Sequence, residues 1–305
     1  MTSGEPAIVC VDWGTSSFRA YLTKADGTIL ERIESPRGVL TIGKGEHEEV
    51  LARFIGGWLG RSGPLPVLMA GMVGARQGWV EAPYANCPAG LREIASAIVT
   101  VNTRAMGAIG LAPGVCAFDR DGAPDVMRGE ETQILGALAA TGRGDGVFVL
   151  PGTHSKWARV EAGRITSFAT YMTGEVFAAL KDHTILGRLM DAASQEGAGF
   201  AEGVRAAARL ERAGDVLHAI FMTRTLGLFD RLKPDQSADY LSGLLIGAEL
   251  VSGARGAQGA VVVGSPALTA RYCAAGAILG LALEPAPDDC APLGLLALLP
   301  HWRAT

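Results

Sequence analysis

Val11-Asp12-Trp13-Gly14-Thr15-Ser16-Ser17-Phe18-Arg19 is the stretch that decides the fold. A short apolar run from Ala7 to Val11 precedes it, and apolar and polar residues alternate from Phe18 to Thr23. That pattern predicts strand, glycine-containing turn, strand. Ala25-Asp26-Gly27 then predicts a second hairpin turn, and Thr28 to Ile33 a third strand. The same order returns later: strand Val147 to Leu150, turn Gly152-Thr153-His154-Ser155, strand Trp157 to Val160, turn Glu161-Ala162-Gly163, strand Ile165 to Thr170. Two G-T-x-S meanders, each opening a half of the chain, read as an internal duplication. Chance recurrence in a glycine-rich chain is the alternative.

Between the meanders, helical spacing predicts a helix from Glu46 to Leu59, and Val67 to Val73 reads as a buried strand entering a Gly-rich corner. Ala89 to Gly110 is ambiguous. Gly114 to Asp119 reads as a strand and Gly129 to Ala140 as a helix. After the second meander come helices at Gly174 to Met190, Gly197 to Arg212, Asp215 to Leu228 and Ala238 to Ala254. A strand at Ala260 to Val263, a helix at Leu268 to Leu279, a short strand at Leu281 to Pro285 and a helix at Ala291 to Leu299 finish the chain. This order means α/β with two related halves, not a bundle or a sandwich. The boundary is expected near Asp125 to Gly129, giving domains 1–128 and 129–305.

Composition narrows the function. A chain of 305 residues exceeds the size at which single cores split, and 41 glycines are nearly twice the usual share of about 7% without a collagen period. A hydrophobic content of 49% with 19% charged residues excludes disorder. The net charge of -4 argues against a nucleic-acid or membrane-surface protein. Cys10, Cys87, Cys116, Cys273 and Cys290 are odd in number and never spaced C-x-x-C, so a reducing cytoplasm is expected. The apolar run ending at Asp12 is too short for a signal or a membrane span.

The P-loop string, G-x-G-x-x-G after a strand, His-based metal spacings and G-x-S-x-G are all absent. What remains is the Asp-x-Gly-Thr-Ser-Ser turn. Small residues let the backbone approach a ligand, successive N–H groups and hydroxyls surround phosphate oxygens, and a carboxylate at the strand end holds hydrated Mg²⁺ beside them. The second turn offers another phosphate site, but Leu150 stands where the first copy has Asp12, so one half alone would carry the metal.

The paired hairpins, with Gly264-Ser265-Pro266-Ala267-Leu268 in the place of an adenosine loop, resemble the sugar kinase, hexokinase, Hsp70 and actin superfamily. That resemblance implies two duplicated ribonuclease-H-like (actin-like ATPase) domains flanking a nucleotide cleft. Within it, Val11 to Arg19, Met69-Ala70-Gly71-Met72-Val73-Gly74, Met127-Arg128-Gly129-Glu130-Glu131-Thr132-Gln133 and Leu150 to Trp157 resemble the 2-dehydro-3-deoxygalactonokinase family over nearly the whole chain. Ser265 replaces the second glycine of the adenosine loop. The implied reaction is transfer of the ATP γ-phosphoryl group to the 6-hydroxyl of 2-dehydro-3-deoxy-D-galactonate in galactonate breakdown.

The resemblance assigns roles residue by residue. Asp12 would orient Mg²⁺; Gly14, Thr15, Ser16 and Ser17, with Gly152 and Thr153, would hold phosphates; Gly264, Ser265 and Leu268 would face the adenosine. Arg19 or Lys156 would neutralise developing charge. Glu130 takes the place of the usual catalytic Asp, at a helix N-terminus that holds a carboxylate ionised. Glu130 and Glu131 could equally serve only the first helical turn, and Glu131 and Asp125 are the other candidate bases. Arg76, Gln77, Trp79 and His154 are the candidate substrate residues, Arg76 for the carboxylate with Arg128 and Lys156 as competitors. Trp79 could instead pack in the core, and Tyr171, Thr173, Gly174 and Glu175 rim the sugar or merely start a helix capped by Thr173. The expected partners are the sugar acid and ATP, without nucleic acid or membrane, and a homodimer is compatible with the sequence. Alternatives are a kinase of the same fold for another 2-keto sugar acid or ketose, and a non-catalytic ATP- or sugar-binding module.

Overall fold

The computed structural model describes residues 5–190, 197–212 and 214–302. The chain divides into two compact units, Met1–Gly146 with Ala158–Phe168 and Pro287–Thr305, and Val147–Trp157 with Ala169–Ala286. The first unit therefore runs past the boundary expected near residues 125–129. The physical reason lies in one helix pair, described below.

The first meander forms as the alternation predicts: β1 (Pro6–Trp13), β2 (Phe18–Lys24) and β3 (Ile29–Ser35). β1 reads as a continuous apolar run because it is central: antiparallel to β2 on one side, it pairs in parallel with β4 (Val67–Ala70) on the other. Ile8, Val9, Cys10 and Val11 are fully buried. The helix α1 (His47–Ser62) buries Val50, Leu51, Ile55 and Trp58 against a core that includes Phe18, Ala20 and Leu22. The corner after β4 is a 3-10 turn, Met72–Gly74.

The ambiguous segment resolves into α2 (Leu91–Ser96) and a hairpin of β6 (Val99–Thr103) and β7 (Gly107–Leu111), after β5 (Tyr84–Asn86). β7 completes the sheet order β3-β2-β1-β4-β7-β6. β5, β8 (Gly114–Phe118) and β9 (Pro124–Met127) make a separate three-stranded sheet. The helix α3 (Glu130–Thr141) packs closely on α9 (Cys290–Leu298). A Cβ on Gly136 would lie 1.7 Å from Cys290 O, and one on Gly294 would lie 1.8 Å from Thr132 O. Only two glycines let the backbones approach this far, and the contact holds both helices in the first unit.

The second meander is β10 (Gly146–Leu150), β11 (Ser155–Glu161) and β12 (Arg164–Tyr171). Its sheet has the order β12-β11-β10-β13-β14, with β13 (Gly259–Val262) parallel to β10 and β14 (Ala282–Pro285) parallel to β13. The hairpin end of β11 and β12 counts to the first unit, where Ile165 bridges Ala89. Four helices follow: α4 (Thr173–His183), α5 (Ala198–Ala207), α6 (Asp215–Leu228) and α7 (Pro234–Gly253), with α8 (Pro266–Leu279) after β13. α4 stops short of the expected Met190: Thr184 is extended, and a 3-10 turn at Gly187–Leu189 follows. α5 ends at Ala207 rather than at Arg212.

Candidate functional site

In the first unit, register assembles the acidic end of β1. The antiparallel pairing sets Asp12 opposite Arg19 and Trp13 opposite Phe18. Directly opposed side chains interact, so Arg19 Nη1 reaches Asp12 Oδ2 at 3.6 Å and the two rings meet edge to face at 5.1 Å. The side chain of Asp12 is 15% exposed and that of Arg19 44%. Burial pushes the Asp12 carboxyl above its ordinary range, and Arg19 opposes that shift. Gly14 N–H donates to Ser17 O at 2.9 Å and closes the turn, which leaves Thr15 and Ser16 exposed. The carbonyls of Gly14 and Thr15 accept from Val39 and Leu40 N–H, so the turn is anchored from behind.

Two further loops meet this strand end. Gly71, at the end of β4, has φ +97°; a Cβ there would lie 2.8 Å from Trp13 O and 3.2 Å from Asp12 Oδ1. Gly129, with φ +105°, precedes α3, and its Cβ would lie 3.3 Å from Gly71 Cα. The N-terminus of α3 therefore seats against the corner that carries Asp12. Glu130 Oε2 accepts from Arg128 N–H at 2.8 Å, and Glu131 Oε2 accepts from Gly129 N–H at 2.7 Å. Glu131 is fully buried, and burial, with Glu130 beside it, pushes its carboxyl up to about 8. Of the two acids it is Glu130, half-buried, that keeps contact with solvent. Asp125 lies in β9, where its Oδ1 accepts from Val126 N–H.

The cations expected for a substrate carboxylate are placed differently from one another. Arg76 is 82% exposed and sits 3.5 Å from Glu81, with Gln77 exposed beside it. Arg128 donates from Nη2 to Ala82 O at 2.8 Å and lies over the Tyr84 ring at 4.4 Å, while its Nε and Nη1 are buried without a partner among the described residues. Trp79 packs against the core and stacks on His47, ring centroids 6.1 Å apart. His47, to which the sequence assigns nothing, is buried with no hydrogen-bond partner at either ring nitrogen, and burial pulls its pKa down.

In the second unit, the turn after β10 leaves Thr153 and His154 exposed. His154 Nε2 meets Glu175 Oε2 at 2.5 Å, and Glu175 N–H donates to Thr153 O at 3.0 Å, tying α4 to the turn. Gly174 makes that contact feasible: a Cβ there would lie 2.5 Å from Gly152 O. Lys156 is buried, and its Nζ donates to Thr170 Oγ1 at 2.9 Å. Thr173 is not the cap of α4, a position held by Met172 without a side-chain bond. Its hydroxyl instead donates to Glu249.

Glu249 was not legible as a site residue. It is buried in α7 and accepts from Ser155 Oγ at 2.6 Å, Trp157 Nε1 at 2.9 Å and Tyr272 OH at 2.6 Å, as well as from Thr173. This carboxyl group joins β11, α4 and α8 behind the turn. Burial raises the Tyr272 phenol further, so it stays a donor. The available signal was a lone acid inside an otherwise apolar helical run.

A cavity of about 360 Å³ opens in the same unit, lined by Gly152 from the turn, Thr173 and Gly174 from α4, Ala238 and Ser242 from α7, and Leu268 and Tyr272 from α8. Two stretches predicted separately, the second turn and the late loop, thus contribute to one wall. Gly264 packs against Pro151, its Cβ position 3.4 Å from Pro151 Cδ, and Ser265 O caps α8 by accepting from Thr269 N–H. A cavity this size, mostly apolar with a few polar groups, suits a nucleoside. Among the described residues no cluster of three or more His, Cys, Asp or Glu could hold a metal ion. The single carboxylate of Asp12 is compatible with a cation such as Mg²⁺, which keeps its waters and binds one or two carboxylates plus phosphate oxygens. No helix among the described residues is long and apolar enough to cross a membrane.

Comparison with known proteins gives the family. The family model for 2-keto-3-deoxy-galactonokinase matches residues 12–298, starting at Asp12. A protein of Rhizobium meliloti (strain 1021) named probable 2-dehydro-3-deoxygalactonokinase is 39% identical over 86% of each chain. The 2-dehydro-3-deoxygalactonokinase of Escherichia coli (strain K12) is 33% identical over 93% of this chain and 94% of its own. A crystal structure from Sinorhizobium meliloti given the same kinase name superposes with a TM-score of 0.84, at 36% identity, over 95% of this chain and 97% of that one. The α/β architecture is accordingly that of the sugar kinases, and the chain belongs to the 2-keto-3-deoxy-galactonokinase family.

Proposed function

We propose that this kinase transfers the γ-phosphoryl group of ATP to the 6-hydroxyl of 2-dehydro-3-deoxy-D-galactonate, using Mg²⁺. The observation that carries the nucleotide assignment is the cavity whose wall joins Gly152 to Leu268. Phosphoryl transfer needs positioning and charge neutralisation more than covalent chemistry, and the residue roles follow from that. Glu130 takes the proton of the 6-hydroxyl as its oxygen bonds to the γ-phosphorus and the bond to ADP breaks. Gly14, Thr15, Ser16 and Ser17 offer amides and hydroxyls to phosphate oxygens, and Gly152 and Thr153 do the same from the second turn. Asp12 holds Mg²⁺, which when bound neutralises phosphate charge. Arg19, the accessible cation beside Asp12, stabilises charge developing in transit, a role for which buried Lys156 is poorly placed. Leu268 covers the nucleoside, with Gly264 and Ser265 shaping its loop. Arg76, Gln77, Trp79 and His154 serve the sugar acid, Arg76 leaving Glu81 for the substrate carboxylate.

Two duplicated ribonuclease-H-like halves belong to the same proposal. The shared order of a three-stranded meander followed by two parallel strands, β3-β2-β1-β4-β7 and β12-β11-β10-β13-β14, supports it. The phosphate-1 turn and the sugar residues Arg76, Gln77 and Trp79 lie in the N-terminal half, the phosphate-2 turn with His154 and the adenosine loop in the C-terminal half. A homodimer and a cytoplasmic location complete the proposal; light scattering on the purified protein tests the first.

The assay is ADP release with Mg-ATP against a panel of 2-keto-3-deoxy sugar acids and ketoses. Highest kcat/KM on the galactonate-derived acid is expected. Preference for another acid would change the substrate and keep the chemistry; no turnover on any member would remove it.

A further inference from the structure

The charged residues lining the cavity of the second unit are the pair Asp239 of α7 and Arg271 of α8, which the phosphate and adenosine loops do not account for, and the exposed Lys181 of α4. Arg271 Nη2 donates to Asp239 Oδ1 at 3.0 Å, with the Asp239 side chain 9% exposed and that of Arg271 36%. The guanidinium of Arg271 lies over the buried Phe200 ring at 4.4 Å from its centroid. The cation therefore rests against an aromatic ring. Asp239 Oδ1 is engaged by Arg271; its second oxygen has no partner among the described residues. The residual 9% exposure of the Asp239 side chain, at the cavity wall, leaves this oxygen open to accept from a group that enters.

We propose that the Asp239–Arg271 pair selects the base of the phosphoryl donor: Arg271, backed by Phe200, is a flat platform for a heteroaromatic ring, and Asp239 accepts a hydrogen bond from an exocyclic amino group. Guanidinium groups stack on aromatic faces, and an amino donor fills an acceptor that an oxo group at the same place would leave facing another oxygen. The ligand class is an amino-substituted purine, adenine rather than hypoxanthine. This rests on the kinase proposal above and adds what decides between nucleotides. A site that hydrogen-bonds one group discriminates strongly against the analogue lacking it, because its buried polar atoms are then left unpaired.

The test compares ATP, ITP and purine riboside triphosphate as donors, in the wild-type protein and in Asp239→Asn, at saturating sugar acid. Wild type is expected to prefer ATP over both analogues by at least about tenfold in kcat/KM, the scale of one hydrogen bond to a charged group. In Asp239→Asn the ATP:ITP ratio should fall about tenfold or more, chiefly through the nucleotide KM, since the amide donates to an oxo group as well as accepting. Arg271→Lys keeps a cation for Asp239 but removes the platform, and should weaken ATP and ITP together without changing their ratio. Thermal unfolding establishes that both variants fold, and displacement of a fluorescent ADP analogue reads binding apart from turnover. An unchanged ATP:ITP ratio in Asp239→Asn, with wild type turning over ATP, would overturn the role of the pair alone. A wild-type protein that binds no nucleotide would overturn the pair and the kinase proposal together.

Discussion

Gly71→Ala tests whether the corner after β4 positions Asp12. The residue has φ +97° and ψ -161°, a region that side-chain-bearing residues enter at a cost of about 1–3 kcal/mol. The added methyl would also lie 2.8 Å from Trp13 O and 3.2 Å from Asp12 Oδ1. Restoring the roughly 3.3 Å that carbon and oxygen keep requires a shift of about 0.5 Å at the end of β1. Overpacking of this kind adds about 1–3 kcal/mol, for a total of about 2–6 kcal/mol. At about 2–4 °C per kcal/mol for a unit of this size, the melting temperature should fall by roughly 4–24 °C. Because misplacement by about 1 Å can cost about a hundredfold in rate, kcat should drop about ten- to a hundredfold in the fraction that stays folded. Gly57→Ala is the matched control: its Cβ meets nothing within 4 Å and it sits inside α1, so it should stabilise by about 0.5–1 kcal/mol and leave kcat alone. Differential scanning calorimetry and the ADP-release assay read the two effects. Wild-type kcat and Tm in Gly71→Ala would refute the claim that this glycine sets the strand end.

Other consequences follow from single residues. Glu249→Ala strips the acceptor from Ser155, Trp157, Thr173 and Tyr272 and should cost about 3–5 kcal/mol by denaturant midpoint. Glu249→Gln keeps an oxygen for Ser155 and Trp157 and lets its amide donate to the hydroxyls of Thr173 and Tyr272, so it should lose less than half as much. Glu131 keeps its proton in the native state up to about pH 8 but releases it near 4.5 when unfolded, so wild-type stability should decline as pH rises from about 4.5 to about 8. Glu131→Gln lacks this term, and its Tm advantage over wild type should widen between pH 5 and pH 8; a constant difference would contradict the buried acid. Asp12→Asn should lower kcat at least about a thousandfold while leaving Tm within a few degrees, because the carboxylate's burial and its half-exposed partner Arg19 leave little net stabilisation to lose.

Much of this was written in local sequence. Period-two alternation from Phe18 onward and the apolar run before Asp12 gave β1 and β2, and the hairpin register then placed Arg19 opposite Asp12 without further information. The strands β5 and β9 left no such trace: one is three residues long, and in β9 Pro124 and Val126 are exposed. The division into units escaped because α3 is held by α9, more than 140 residues later, through backbone contact at Gly136 and Gly294. For the candidate site, the turns and Leu268 were readable as motifs, whereas Asp239 and Arg271 acquire meaning only when α7 and α8 bring them together in one cavity wall, and Glu249 only when β11, α4 and α8 converge on it. Lys156 shows the converse: it carries the right charge at a suggestive place in the chain, yet it is buried and donates to Thr170.

The most direct test of the central claim is the identity of the product. Incubation of the purified protein with Mg-ATP and 2-dehydro-3-deoxy-D-galactonate, followed by proton-coupled phosphorus NMR, reports which hydroxyl has been phosphorylated. Transfer to the 6-hydroxyl gives a phosphorus resonance split into a triplet by the two C6 protons, with one ADP formed per phosphoester. A doublet, from a phosphoester on a carbon bearing one proton, or ADP and inorganic phosphate without any phosphoester, would contradict it.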